Sequence, residues 1–153
     1  MFRATDLARY IIAYENQLSR QIDITNLRLQ KTLYYIQGYY FKHYNRCAFE
    51  EKIYNWAYGP VVPEVYYIYN SNTYRTIIIP YETRNEIIEG FANYSERGFI
   101  NKIINKCNVF TSAQLVDKTH KEDPWKNTQK NEIISNESID EFFYKNDPLQ
   151  LYS

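Results

Sequence analysis

The chain is poor in cysteine, glycine, proline and histidine, and each shortage removes a class of function. Two cysteines, Cys47 and Cys107, are too few for a disulfide framework and read as reduced thiols. Four glycines and five prolines come without a P-loop, a dinucleotide glycine fingerprint, an HExxH pair or a serine nucleophile elbow. Neither charge is in excess, since 18 Lys and Arg balance 18 Asp and Glu. That balance argues against a protein that coats DNA or RNA, which needs surplus cations against phosphate. The distribution is only mildly uneven: 7 basic and 3 acidic residues over 1–46, 4 and 7 over 47–100, and 7 and 8 over 101–153. No apolar run reaches the roughly 18 residues of a membrane span, and no signal-peptide layout opens the chain. A soluble, cytoplasmic protein is expected, with no membrane partner.

Tyrosine is abundant instead, with 17 copies. Tyr, Ile, Asn and Lys share A/T-rich codons, which accounts for the total. A local Tyr cluster still suits binding, because Tyr supplies contact area at low entropic cost. At 153 residues one domain is expected, with a core large enough to need no disulfide or metal.

Helical spacing of Leu7, Ile11, Tyr14 and Leu18 predicts a first helix capped at Thr5 and running to about Ser19, then a link over Ser19–Ile24. A second helix starts at Thr25-Asn26. One stripe holds Leu29, Leu33, Ile36 and Tyr40; another, roughly opposite, holds Leu27, Tyr34, Gly38 and Phe41. A helix apolar on two faces is central. Between the stripes lie Gln30 and Gln37 on one side, expected to hydrogen-bond an irregular loop. Arg28, Lys31, Tyr35, Tyr39 and Lys42 lie on the other, the expected face for solvent or a partner. Asn45-Arg46 ends the helix.

Cys47–Ala57 then reads as a strand or hairpin arm, broken by Gly59-Pro60. Pro63 suits the first turn of a helix over about Val62–Tyr69. Asn70–Asn72 is a turn, and Arg75–Ile79 a strand that pairs with the first. Two helical segments, or one kinked at Gly98, cover Glu82–Asn93 and Ser95–Lys106. Thr111 caps a helix over Ser112–Lys118, THKEDPW is loop, and Ser138–Lys145 is a last helix with Ile139, Phe142 and Phe143 inward. The expected class is α+β: mostly helical, with a small antiparallel sheet or hairpin.

Two constellations bear on chemistry. His43, Cys47, Cys107 and His120 would suit zinc as a set, but no pair has knuckle spacing; ordinary thiols and imidazoles are the plainer reading. Asp117, His120 and Asp123 are candidates for an acid–base cluster, with Thr119 a poor nucleophile beside it. A loop anchor is favoured over that cluster and over direct contact with a partner. In it His120 bonds the last carbonyls of the preceding helix, Asp123 accepts backbone N–H bonds, and Trp125 buries its ring while its indole N–H finds an acceptor. No catalytic residue, metal or cofactor is therefore expected. The stretch YNWAYGPVVPEVY (54–66) combines stiff backbone with aromatic area, which suits an anchored corner or a preorganised docking surface.

Three passages, ITNLRLQKTLYYIQGYY (24–40), WAYGPVVPEVY (56–66) and THKEDPW (119–125), together resemble the Panacea domain, the SocA-like antitoxin domain also found in phage-associated proteins. The resemblance runs from about Asp6 to Phe143, and VFTSAQLVDKTH before the third motif also fits. It places Leu29, Gln30, Lys31, Tyr34, Gln37, Gly38 and Tyr39 on the central helix. It places Trp56, Tyr58, Gly59, Pro60, Val61, Pro63 and Tyr66 in the corner, and Thr119, His120, Asp123, Pro124 and Trp125 in the last motif. Tyr and Ile replace the commoner apolar residues after Lys31, and the stretch around 81–98 is hard to align with the family. Panacea proteins are antitoxins of two-gene toxin–antitoxin pairs, usually neutralising a cognate toxin by direct binding. One instead delivers its toxin to the ClpXP protease. Some carry an added DNA-binding domain, for which this chain leaves no room. The resemblance thus implies a non-catalytic antitoxin with a protein toxin as partner, or on the same scaffold a protease adaptor or a phage counter-defence protein. The Arg28/Lys31/Tyr35/Tyr39/Lys42 sector and the outer edge of the Tyr58–Tyr66 corner are the expected binding faces.

Overall fold

Two apolar stripes on one helix demand neighbours on two sides, and the fold provides them all round. In the computed structural model, which describes residues 1–18, 22–72 and 74–153, helix α2 (Asn26–Tyr44) is central. Around it pack α1 (Ala4–Gln17), α5 (Tyr94–Cys107), α6 (Ser112–His120) and α8 (Asn136–Lys145). Every residue from 28 to 40 is buried. Thr25 caps α2 by accepting the Arg28 N–H, and Asn45 closes it in a left-handed conformation. Gly38 is where α8 comes closest: a Cβ there would lie 2.1 Å from the Phe143 ring. Ile139 and Phe143 of α8 point inward, and Phe142 is half-buried.

The first helix begins at Ala4, with Arg3 at the N-cap position, so Thr5 lies inside it. Its cap is remote: Glu51 Oε2 accepts the Ala4 N–H at 2.8 Å, one of the orphan donors of the first turn, and Thr5 is not the capping residue. Ser19, Arg20 and Gln21 of the expected link lie outside the described residues.

A three-stranded antiparallel sheet of β1 (Ile53–Trp56), β2 (Gly59–Val61) and β3 (Ile133–Ile134) has the order β2-β1-β3. The expected α+β class is therefore the observed one. Gly59-Pro60 does not break the sheet. It lies within β2, an edge strand, where a missing N–H is tolerated. Pro63 opens the short helix α3 (Pro63–Tyr66), and residues 70–72 form a 3-10 turn.

Arg75–Ile79 is not a strand, and β1 takes β3 as its second partner. The Asn16 side chain supplies what a strand would have: it donates to Ile77 O at 3.1 Å and accepts from Ile79 N at 2.8 Å. Helix α4 (Tyr81–Gly90) is separated from α5 at Ala92, whose φ is 56°, rather than at Gly98. Thr111 and Gln114 form a capping box on α6. THKEDPW is more ordered than a loop: Thr119 and His120 finish α6, and α7 (Asp123–Lys126) follows.

Candidate functional site

The three sequence motifs meet around the β1–β2 hairpin. From α2, Gln30 Oε1 accepts the Val62 N–H at 2.9 Å while Gln30 Nε2 donates to Asn26 Oδ1 at 2.9 Å. Asn26 in turn donates to Tyr66 O at 3.0 Å. This relay fixes the chain from Val62 to Tyr66 against the helix, as expected of Gln30. Gln37 holds a different segment, accepting from Ala48 N and Phe49 N and donating to Phe49 O.

Lys31, fully buried, donates to Pro60 O at 3.0 Å. Gly59 crosses directly above it with φ 110°, and a Cβ there would meet Lys31 Cε at 2.7 Å and Thr119 Oγ1 at 2.8 Å. Any side chain would collide, so glycine is required by space and by backbone conformation alike. Burial lowers the Lys31 ammonium to about 7.

The last motif clamps the hairpin from the other side. Trp125 Nε1 donates to Trp56 O at 2.9 Å, the acceptor expected for its indole. Asn55 Nδ2 donates to Trp125 O and Thr128 O at 2.8 and 2.9 Å. His120 stacks on Trp125 with ring centroids 4.0 Å apart, and its Nε2 is buried without a partner.

Between α2, the hairpin turn and α3 these contacts leave a cleft of about 400 Å³. Leu27, Gln30 and Lys31 form its floor; Trp56, Tyr58 and Tyr66 its walls; Tyr74 stands at its mouth. A second hollow of about 410 Å³ lies between the N-terminal segment and α4, but Arg3, Asp6, Arg9 and Glu86 mix both signs along it and no motif residue lines it.

The profile of the SocA-like antitoxin family, the Panacea domain, matches residues 29–126. The chain belongs to that family. No curated protein and no solved structure matches it. The matched span takes in the second and third motifs whole and the first from Leu29 onward.

Within this Panacea domain the expected partner-binding sector of α2 is not a surface. Arg28, Lys31, Tyr35 and Tyr39 are all buried, because α5, α6, α8 and the C-terminal segment cover them. Their polar heads are spent inside. Arg28 donates to Cys107 O and Phe110 O at the end of α5, at 3.2 and 2.5 Å. Tyr35 and Tyr34 donate to Glu122 at 2.8 and 3.0 Å. Tyr39 donates to Asp147 and accepts from Leu149 N. Lys42 is half-buried and donates to Phe143 O at the end of α8, at 2.8 Å.

In the corner, Gly59, Pro60 and Val61 are buried, Trp56, Pro63 and Tyr66 half-buried, and Tyr58 is exposed. The acid–base cluster does not assemble. Asp117 pairs with Lys121 and Asp123 with Lys126, and no hydrogen bond joins either carboxylate to His120 among the described residues. Asp123 is exposed and does not serve as the expected backbone acceptor. His120 meets Trp125 rather than helix carbonyls.

Among the described residues no group of three His, Cys, Asp or Glu is placed to hold a metal, and no helix is long and apolar enough to cross a membrane. Sequence reasoning missed Glu122, the shared acceptor of two phenols, which burial raises to about 7. It also missed Asn26, whose amide holds the Tyr66 carbonyl, and Asn55, whose amide holds those of Trp125 and Thr128. Nothing local marks Glu122, although its place just before Asp-Pro hinted at a turn.

Proposed function

We propose that the protein is the antitoxin of a two-gene toxin–antitoxin pair, acting in the cytoplasm by stoichiometric binding to its cognate toxin and without chemistry of its own. Membership of the family supports an antitoxin role in general. The observation that carries the binding reading is an aromatic rim beside the cleft: Tyr58, Tyr67, Ile68 and Tyr74 are 69, 62, 54 and 92% exposed. Trp56 and Tyr66 pack edge-on to Tyr67 and join the rim to the cleft wall. Adjacent large apolar groups left in water mark an interaction surface, and Tyr and Trp are the residues that anchor interfaces. Such an interface spans roughly 1,200–2,000 Å². The rim therefore takes over the role that the sequence pattern gave to the outer face of α2.

The test is co-purification with the product of the adjacent gene, followed by rescue of cells expressing it. A stoichiometric complex with unchanged or longer toxin half-life is expected. The double variant Tyr58→Ser, Tyr67→Ser should weaken binding at least tenfold, about 1.4 kcal/mol, with its melting temperature unchanged because both side chains are exposed. Full rescue by that variant removes the rim from the interface. A shortened toxin half-life replaces blocking with delivery to a protease.

A further inference from the structure

The cleft of about 400 Å³ lies within the roughly 300–1,000 Å³ of ligand pockets. Its cation and its amide are both spent. Lys31 is fully buried and donates to Pro60 O, and Gln30 bonds Val62 and Asn26. What meets water along the walls is a set of donors without charge. Among the described residues the Trp56 indole N–H and the Tyr66 hydroxyl have no hydrogen-bond partner, and neither is a buried orphan, so both are open to solvent. The hydroxyls of Tyr58 and Tyr74 are likewise unbonded, on rings 69 and 92% exposed. An indole can only donate, and each phenol carries one donor. The rings stand edge-on to one another: Trp56 to Tyr66 at 5.2 Å and 80°, and Trp56 to Tyr67 at 6.1 Å and 63°.

We propose that this cleft docks a proline-rich segment of a partner protein in the polyproline II conformation, its proline rings against the aromatic walls and its carbonyls on the Trp56 indole and the Tyr66 hydroxyl. Such a segment makes no internal hydrogen bonds, and proline offers a carbonyl but no N–H. It is all acceptor, the complement of a wall of uncharged donors. The distribution of charge agrees, because the faces of aromatic rings are partially negative and receive C–H groups.

Other modes of peptide recognition match less well. An added strand needs a free edge, but on the edge strand β2 Pro60 has no N–H and its carbonyl is taken by Lys31. A helix satisfies its own backbone and leaves the donors unpaired. A charged anchor finds no counter-ion, since the one charged residue of the lining is the buried Lys31. A small molecule leaves the adjoining Tyr67 and Ile68, 62 and 54% exposed, uncovered. The identification of the partner as the toxin rests on the antitoxin reading; the chemistry of the cleft does not.

The probes are acetyl-hexaproline-amide, a Gly-Ala peptide of the same length, and acetyl-proline-amide. Each is titrated into the full chain and followed by NMR of the tryptophan indoles and tyrosine rings. Hexaproline, about 19 Å long, should shift Trp56, Tyr66 and Tyr74 and bind about tenfold more tightly than either of the others. Trp56→Phe keeps a ring but loses the donor, and should weaken hexaproline by about threefold or more, as expected for one hydrogen bond. If that variant does not fold, Tyr74→Ser, which changes a ring almost wholly in water, should weaken it as well. No binding, shifts away from the cleft, or equal binding of hexaproline and the Gly-Ala peptide would overturn the proposal. Equal binding of the single proline amide overturns it too, in favour of a small-molecule pocket. If hexaproline fails while the toxin still binds, the proline site falls and the antitoxin reading stands. If hexaproline binds and no toxin complex forms, the antitoxin reading falls and the site stands. If it binds without competing with the toxin, the toxin is not the proline-bearing partner.

Discussion

Glu122 is 5% exposed and is held between the hydroxyls of Tyr34 and Tyr35, with Lys118 3.8 Å away. Burial outweighs these partners and raises its carboxyl from 4.5 to about 7. A carboxyl raised in the folded state contributes stability fully below its unfolded value and loses it as pH climbs through the folded value. Glu122 thus stabilises the fold least above pH 7, by about 3 kcal/mol relative to pH 4. Glu122→Gln, uncharged throughout, should gain on the wild type by a sizeable part of that amount between pH 5 and pH 8. Urea unfolding at the two pH values measures it; the change in the difference carries the test, because the amide also alters one phenol bond. Parallel pH dependences would mean that Glu122 is ionised in the fold at little cost. Sequence alone could not show this residue, since its partners lie about 90 positions away along the chain.

At the scale of elements, legibility depended on whether a segment's partners are local. The caps of α2 and α6 were readable because Thr25 and Thr111 serve donors three residues on. The anchoring of Trp125 was readable because a buried indole needs an acceptor. The outer face of α2 was misread for the opposite reason. Arg, Lys and Tyr mark a wet face only if nothing covers it, and here the acceptors are carbonyls far along the chain, such as those of Phe110, Pro60 and Phe143. The run Arg75–Ile79 has strand composition, but the Asn16 and Arg84 side chains and the single backbone acceptor Ile24 O satisfy its backbone in place of a neighbouring strand. Asn16→Ala should therefore cost about 1–3 kcal/mol and speed hydrogen exchange at the Ile79 amide. An unchanged Ile79 exchange rate would show that this segment is held by something else.

Over the whole molecule, cohesion is uneven. The core is continuous through α1, α2, α5, α6 and α8, whereas α4 has no buried residue. Local opening costs least where few apolar groups are buried. The amides of α4 should exchange through a low-energy opening, while those of residues 30–40 in α2 exchange only with global unfolding. Denaturant dependence of exchange distinguishes the two, and a common slope for both helices would show instead that α4 unfolds with the core.

The Trp125–Trp56 contact has a practical consequence. These are the two tryptophans of the chain, and the indole of one bonds the backbone of the other across 2.9 Å. Trp56 forms the cleft wall, edge-on to Tyr66. Tryptophan emission from the protein therefore originates wholly at the hairpin and its clamp. The molecule carries a built-in optical gauge of this one corner, usable without a label, and blind to events on the far side of α2.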